Sequence, residues 1–164
     1  MIKNKQKINI CDFGVGSNRI LPIILTIINS LNLAIYKDEI VGLTPKTFII
    51  EEPESNLHPK LQSKFADFLI DAAYKFNIQF IIETHSEYLI RKLQYWTASK
   101  VLKPEDTVIY YFNDPAKIRK DQNQVEVINI LNDGSLSSDF GPGFFDEAIS
   151  WKLELLKIKN AQHN

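Results

Sequence analysis

A chain of 164 residues is long enough for one domain with a buried core, and 45% apolar with 24% charged residues is ordinary for a globular protein. Lys and Arg number 19 against 20 Asp and Glu, and the net charge of -1 excludes an overall electrostatic case for nucleic acid or anionic membrane. Cys11 is the only cysteine, so no intrachain disulfide can form, and no apolar run approaches the ~18 residues of a membrane span, which makes the cytoplasm the expected setting.

The start, "MIKNKQKINICDF", is basic but has no apolar core of a secretion signal. "DFGVGSNR" reads as a loop, and "ILPIILTIINSLNLAIYK" as a long buried helix with Pro22 tolerated in its first turns. Residues 47–50 form a short, partly β-branched apolar run, suited to a strand buried on both faces of a parallel sheet. "HPKLQSKFADFLIDAAYKF" is an amphipathic helix: Pro59 fits its first position, and Leu61, Phe65, Phe68, Leu69, Ala72 and Phe76 recur at helical spacing. "IQFIIETHS" repeats the theme of an apolar strand, at 78–82, that ends in polar residues. "SEYLIRKLQYW" is a helix capped by Ser86 or Thr84. "DTVIYYF" and "QVEVINIL" are two more strands with a polar connection, "NDPAKIRKDQN", between them. An irregular stretch follows, then a terminal helix in "FDEAISWKLELLKIK". The alternation of helices and strands predicts an α/β fold with a mostly parallel sheet flanked by helices, and an added β element on the C-terminal side.

Ligand sites of open parallel sheets lie at the carboxyl ends of the strands. Two polar clusters occupy that position here: Glu51-Glu52-Pro53 after one strand and Glu83-Thr84-His85-Ser86 after the next. Neighbouring parallel strands would place Glu52 and His85 in one crevice. One carboxylate there can hold Mg²⁺, a second can orient a water, and a histidine can stabilise a phosphoryl group. The plainer alternatives are a solvated turn for the Glu pair, a hydrogen-bonded structural residue for His85 and a helix start for "ESNLHP". A single cysteine, and no ligand pair at zinc-like spacing near His58 or His85, argue against zinc. Tyr110, Tyr111 and Phe112 read as core residues, and Lys117, Arg119 and Lys120 as a solvated basic loop.

"FIIEEPESNLHPKLQ" followed by "FIIETHSEYLIRKLQ" resembles the second half of ABC-class ATPase domains of the RecF/OLD-like group, relatives of the SMC-type ATPases, often called AAA-family ATPases. "GPGFFDE" resembles the small C-terminal domain of unknown function found in one branch of that group. The resemblance spans roughly residues 12–147. It implies a partial P-loop NTPase core over residues 1–113 and a small C-terminal domain over 114–164. It implies ATP and Mg²⁺ as cofactors. Glu51 matches the Mg²⁺-supporting carboxylate of the Walker B strand, Glu52 the catalytic carboxylate that positions water, and His85 the switch histidine near the γ-phosphate. Residues 55–58, with Asn56, match the loop that crosses to the partner subunit. "DFGVGSNRILP", with Gly14, Gly16, Asn18 and Arg19, matches the signature segment that closes over nucleotide held by the opposite subunit. Relatives commonly carry Ser-Gln where this chain has Asn18-Arg19; Asn still donates hydrogen bonds to phosphate and Arg adds a fork of donors.

No G-x-x-x-x-G-K-[ST] phosphate loop occurs in the sequence. The expected function is therefore that of the C-terminal part of an ABC/OLD-like ATPase. It would contribute signature, Walker B and switch elements, and hydrolyse ATP only with a phosphate loop supplied from elsewhere. The expected partner is a second copy or a complementary ATPase half, with DNA or a nuclease as the target of the whole machine and no membrane involved. A non-catalytic binding or regulatory module is the alternative. A metal-dependent nuclease built on Glu51, Glu52, Glu54 and Glu83 ranks below both, because no Asp-x-Asp or Lys accompanies the cluster.

Overall fold

The computed structural model describes residues 15–31, 34–36, 39–41, 45–116, 118, 123–141, 144–145 and 147–161. Gly14, Lys117, Arg119 and Lys120 lie outside the described residues. The chain divides into two compact units, Met1–Lys92 and Leu93–Asn164.

In the first unit, helix α1 runs Val15–Ser30. It begins earlier than the sequence pattern suggests, so Gly16, Asn18 and Arg19 stand on its first turns rather than in a loop, and Pro22 falls in its interior. Proline there removes one intrahelical bond. The helix nevertheless persists because Ile23, Ile27 and Leu31 repeat at four-residue spacing and pack into the core. Ser30 closes the helix, its Oγ donating to the Ile27 carbonyl at 2.7 Å. Strands β1 (Ala34–Tyr36) and β2 (Glu39–Val41) then pair antiparallel; β1 falls at the end of the segment expected as helix, and β2 lies beyond it.

Strand β3 (Lys46–Glu51) pairs parallel with β4 (Ile78–Glu83), and helix α2 (Pro59–Phe76) makes the crossover between them. Pro59 does occupy the first helical turn, His58 is the N-cap, and Asn77 ends the helix in the left-handed region at φ 52. Phe65, Ala66, Leu69, Ile70 and Ala72 form its buried face. Ile27, Leu31, Ala72 and Ile78 make the centre of the core, with Phe48, Phe68, Phe76 and Phe80 packed around them. Phe48 and Phe80 are register partners and stack with centroids 6.0 Å apart.

Among the described residues, only one face of this strand pair is covered. Along β3, burial alternates residue by residue; Phe48 and Ile50 turn inward, while Ile49 is 74% exposed and its register partner Ile81 is 52% exposed. The expectation of a strand buried on both faces is not met, because side chains at successive positions point to opposite faces and α1 and α2 pack on one of them. Among the described residues the sheets are three two-stranded pairs, one parallel and two antiparallel. Helix α3 (Glu87–Ala98) follows β4 and carries the chain into the second unit.

The second unit is built on an antiparallel pair, β5 (Val108–Phe112) and β6 (Val125–Asn129), as the two strand-like segments predict. Ile128 and Ile130 are fully buried, with Leu102 and Thr97. Gly134, at φ 82, lets the turn after β6 approach α3: a Cβ there would meet the Gln94 carbonyl oxygen at 2.7 Å. Tyr111 joins an aromatic cluster with Phe140 and Phe144. Tyr110 and Phe112, expected in a core, are instead 58% and 69% exposed, because the strand alternation turns them to the uncovered face. Helix α4 (Glu147–Ala161) is exposed throughout residues 150–161. Among the described residues, no helix is long and apolar enough to cross a membrane.

Candidate functional site

The parallel register of β3 and β4 ends with Glu51 directly beside Glu83. The chain leaves both strands at that rung, so everything that follows, Glu52 to Asn56 on one side and Thr84 to Ser86 on the other, is gathered at one sheet edge. Glu52 takes a left-handed conformation, φ 41, which a non-glycine residue adopts only at a cost of about 1–2 kcal/mol. Three hydrogen bonds hold it there. Its N–H donates to the Glu83 carbonyl at 2.9 Å, its carbonyl accepts from Ser55 N–H at 3.1 Å, and Ser55 Oγ donates to its Oε2 at 2.8 Å.

His85 reaches back over this turn. Its Nε2 lies 3.2 Å from Glu83 Oε1 and 3.9 Å from Glu52 Oε1. Glu52 and His85 are thus brought together as chain order predicts, on an exposed surface and with Glu83 beside them. The imidazole is 69% exposed, so these contacts are worth little as stability and leave the ring accessible to a ligand. Beneath it, Glu54 is only 7% exposed, and its Oε1 accepts the His85 backbone N–H at 2.6 Å. Its second oxygen, Oε2, is buried with no hydrogen-bond partner.

A second layer of bonds fixes the two helices that leave the site. Ser86 caps α3, its Oγ accepting from Leu89 N–H at 3.1 Å and donating to Gln62 Oε1 at 2.5 Å. Gln62 in turn donates to the Leu57 carbonyl at 3.0 Å. Of the two caps offered by the sequence, Ser86 therefore caps the helix, while Thr84 Oγ1 accepts the Ser86 N–H at 3.0 Å.

The remaining sequence-predicted residues fall into two groups. Gly16 sits against the turn after β3: a Cβ at this position would meet the Asn56 carbonyl oxygen at 2.5 Å and Leu57 Cδ2 at 2.8 Å. The start of α1 and Asn56, itself at φ 63, are thereby brought together. Arg19 and Glu51 line one open cleft of about 340 Å³ with Pro22, Ile23, Thr26 and Phe48. That cleft is not lined by Glu52 or His85, whereas the reactive groups converge at the carboxylate–imidazole edge. Asn18 is exposed on α1.

Glu52, Glu83 and His85 each offer one ligand atom, all within 4.8 Å of one another. Two carboxylates and an imidazole are donors that a divalent cation can use, the carboxylates being the ones suited to Mg²⁺. Chain order places Glu52 and His85 together, and strand register adds Glu83 as the residue nearest the imidazole. Glu51, the carboxylate assigned to Mg²⁺ by resemblance, lies one residue before this group on the exposed side of β3. Glu54 entered the sequence reading only in the nuclease alternative and Ser55 only in the loop at 55–58, neither as a support for Glu52 or His85, and Gln62 gave no sequence signal beyond its place on an amphipathic helix.

The family model described as "AAA ATPase domain" matches residues 1–90, more than half of the 164. A second, described as "Protein of unknown function (DUF3696)", matches residues 102–155. Neither a curated protein nor a solved structure gives a significant match. With its strand-end carboxylates and histidine carried inside the matched region, the chain belongs to the AAA ATPase family and bears a small C-terminal region of the DUF3696 type.

Proposed function

We propose that the chain supplies signature, Walker B and switch elements to an ATP-hydrolysing site of the ABC/OLD-like kind, within a mostly parallel sheet completed by a phosphate-loop half. The observation that carries this reading is the convergence of Glu52, Glu83 and His85 at the carboxyl ends of two parallel strands in register. Mg²⁺, bound together with ATP, would neutralise charge on the β- and γ-phosphates. Glu51 is the residue to support that cation through water. Glu52 keeps Oε2 on the Ser55 hydroxyl, which leaves Oε1 to accept a proton of the attacking water. His85 offers Nε2 as a donor to a γ-phosphate oxygen once it turns from the carboxylates. Gly14, Gly16, Asn18, Arg19 and Asn56 would close over nucleotide held by the opposite subunit, with Arg19 as the permanent cation.

The partner, in this reading, is a second copy or a complementary half that bears the phosphate loop and covers the open face around Ile49 and Ile81. The assembled enzyme would act in the cytoplasm on DNA or with a nuclease. Calorimetric titration of Mg-ATP tests the proposal, on the chain alone and on the chain mixed with a phosphate-loop half, with Glu52→Gln as control. Binding in either arm, followed by turnover in the wild type and not in the control, supports it. Absence of binding in both arms overturns it in favour of a non-catalytic binding module.

A further inference from the structure

We infer that Glu54 is a positioning residue that ties His85 to the turn resting on α1, so that displacement at the signature end of the chain is transmitted to the switch histidine. Glu54 carries a carboxylate that is almost wholly buried, an arrangement disfavoured unless the group is engaged. The engagement is specific: Oε1 accepts the backbone N–H of His85 at 2.6 Å, across 31 positions of sequence. A bond of that length lies at the short end of the N–H···O range, and it fixes the main chain of His85 rather than its ring. The imidazole is thus free to exchange partners while its root stays where Glu54 puts it.

The same turn is in contact with α1 at its other end. Ser55 N–H returns to the Glu52 carbonyl and Leu57 N–H to the Glu54 carbonyl, at 3.1 and 2.9 Å, so residues 52–57 move as one small body. Gly16 abuts that body at the Asn56 carbonyl, with room for no Cβ. Gly16, Leu57, Glu54 and His85 therefore form a continuous series of contacts from the first turn of α1 to the segment after β4: Gly16 abuts Asn56 and Leu57, Leu57 N–H bonds the Glu54 carbonyl, and Glu54 Oε1 bonds His85 N–H. A contact series is only a candidate route for coupling; its demonstration requires that cutting one link abolish the transmitted effect.

The functional meaning of this tie rests on the reading of His85 as the phosphate-facing residue, but the tie itself can be tested without nucleotide. The experiment is an amide proton–nitrogen spectrum with hydrogen exchange on the full chain, comparing Glu54→Gln, Glu54→Asp, Gly16→Ala and the Gly16→Ala/Glu54→Asp double variant. Gln keeps the reach and the accepting oxygen; Asp keeps the charge but is one methylene short. The expected result is a downfield His85 amide, retained in Glu54→Gln and lost in Glu54→Asp with about tenfold weaker exchange protection, the equivalent of one hydrogen bond. Gly16→Ala should shift the His85 amide in the parent and leave it unmoved in the Glu54→Asp background. Equal behaviour of the Asp and Gln variants overturns the proposal, as does a Gly16→Ala shift that survives loss of Glu54. Circular dichroism melts on each variant confirm that folded protein is compared. These spectra fail independently of the Mg-ATP titration, so loss of the coupling and loss of the ATPase reading are distinguishable.

Discussion

His85 Nε2 stands 3.2 Å from Glu83 Oε1, so the exposed imidazole rests against a carboxylate. Glu83 occupies the last rung of β4, opposite Glu51, and the register of the parallel pair puts it within reach. In the assembled enzyme, Glu52→Gln should lower turnover by at least about 10²-fold while Mg-ATP binding persists, the usual size of a lost general base. His85→Ala should lower turnover to a similar degree. Glu83→Gln should cost less than about tenfold, because it removes only the resting partner of the ring; steady-state phosphate release measures all three. Loss of Mg-ATP binding in Glu52→Gln would instead assign that carboxylate a binding role.

Gly16→Ala should destabilise the first unit by about 1–3 kcal/mol, the range for forcing a methyl into an occupied space. The added Cβ meets a backbone oxygen at 2.5 Å, and backbone cannot yield as a flexible side chain does. Chemical denaturation followed by circular dichroism reads the change; a stability equal to the parent would show that the turn relaxes freely.

Ser86→Ala should cost about 2 kcal/mol, at the upper end for a helix cap, since the hydroxyl both caps α3 and donates to Gln62. Ser86→Thr should recover most of that loss. The same denaturation experiment distinguishes the two.

Ile49→Lys should change the stability of the isolated chain by less than about 0.5 kcal/mol, as befits a side chain 74% exposed. It should nevertheless reduce association with a second copy or with a phosphate-loop half, because it places a charge at the centre of the open face. Sedimentation velocity, with Ile81→Lys as a second variant on the same face, reports the association; unchanged sedimentation in both would assign the contact to another surface.

Asp133 should titrate below the ordinary carboxylate value. The Ser135 hydroxyl donates to its Oδ1 at 2.6 Å and the Ser135 N–H adds a second bond at 3.0 Å, both of which favour the charged form. A carboxyl held low in the folded state contributes stability above its unfolded pKa and loses it as pH falls through the folded value. The turn after β6 should therefore loosen under acid, and Ser135→Ala should move the Asp133 titration upward, as carbon-detected NMR would show.

Much of the local architecture was legible without coordinates. Pro59 after His58 marked the start of α2, Ser86 marked the cap of α3, and the two apolar runs ending in acidic residues marked β3 and β4. Parallel strands imply neighbouring carboxyl ends, so the meeting of Glu52 and His85 could be foreseen from chain order alone. The start of α1 was misplaced because glycine and asparagine favour loops as isolated residues, whereas here the apolar repeat of Ile23, Ile27 and Leu31 draws the helix back through them.

By itself, the sequence determined α2, α3 and the strands β3 to β6, and which polar residues stand at the ends of β3 and β4, because periodicity and capping act over a few residues; it did not determine β1 or the start of α1. The tertiary structure decided that Glu83 is the partner of His85, that Glu54 is buried beneath it and that Gly16 abuts Asn56. Those relations depend on strand register and on which layer covers which face, and both are set by contacts between residues tens of positions apart. The exposure of Ile49 has the same origin: alternation puts Phe48 and Ile50 on one face of β3 and Ile49, between Thr47 and Glu51, on the other, and only packing shows which face is left open.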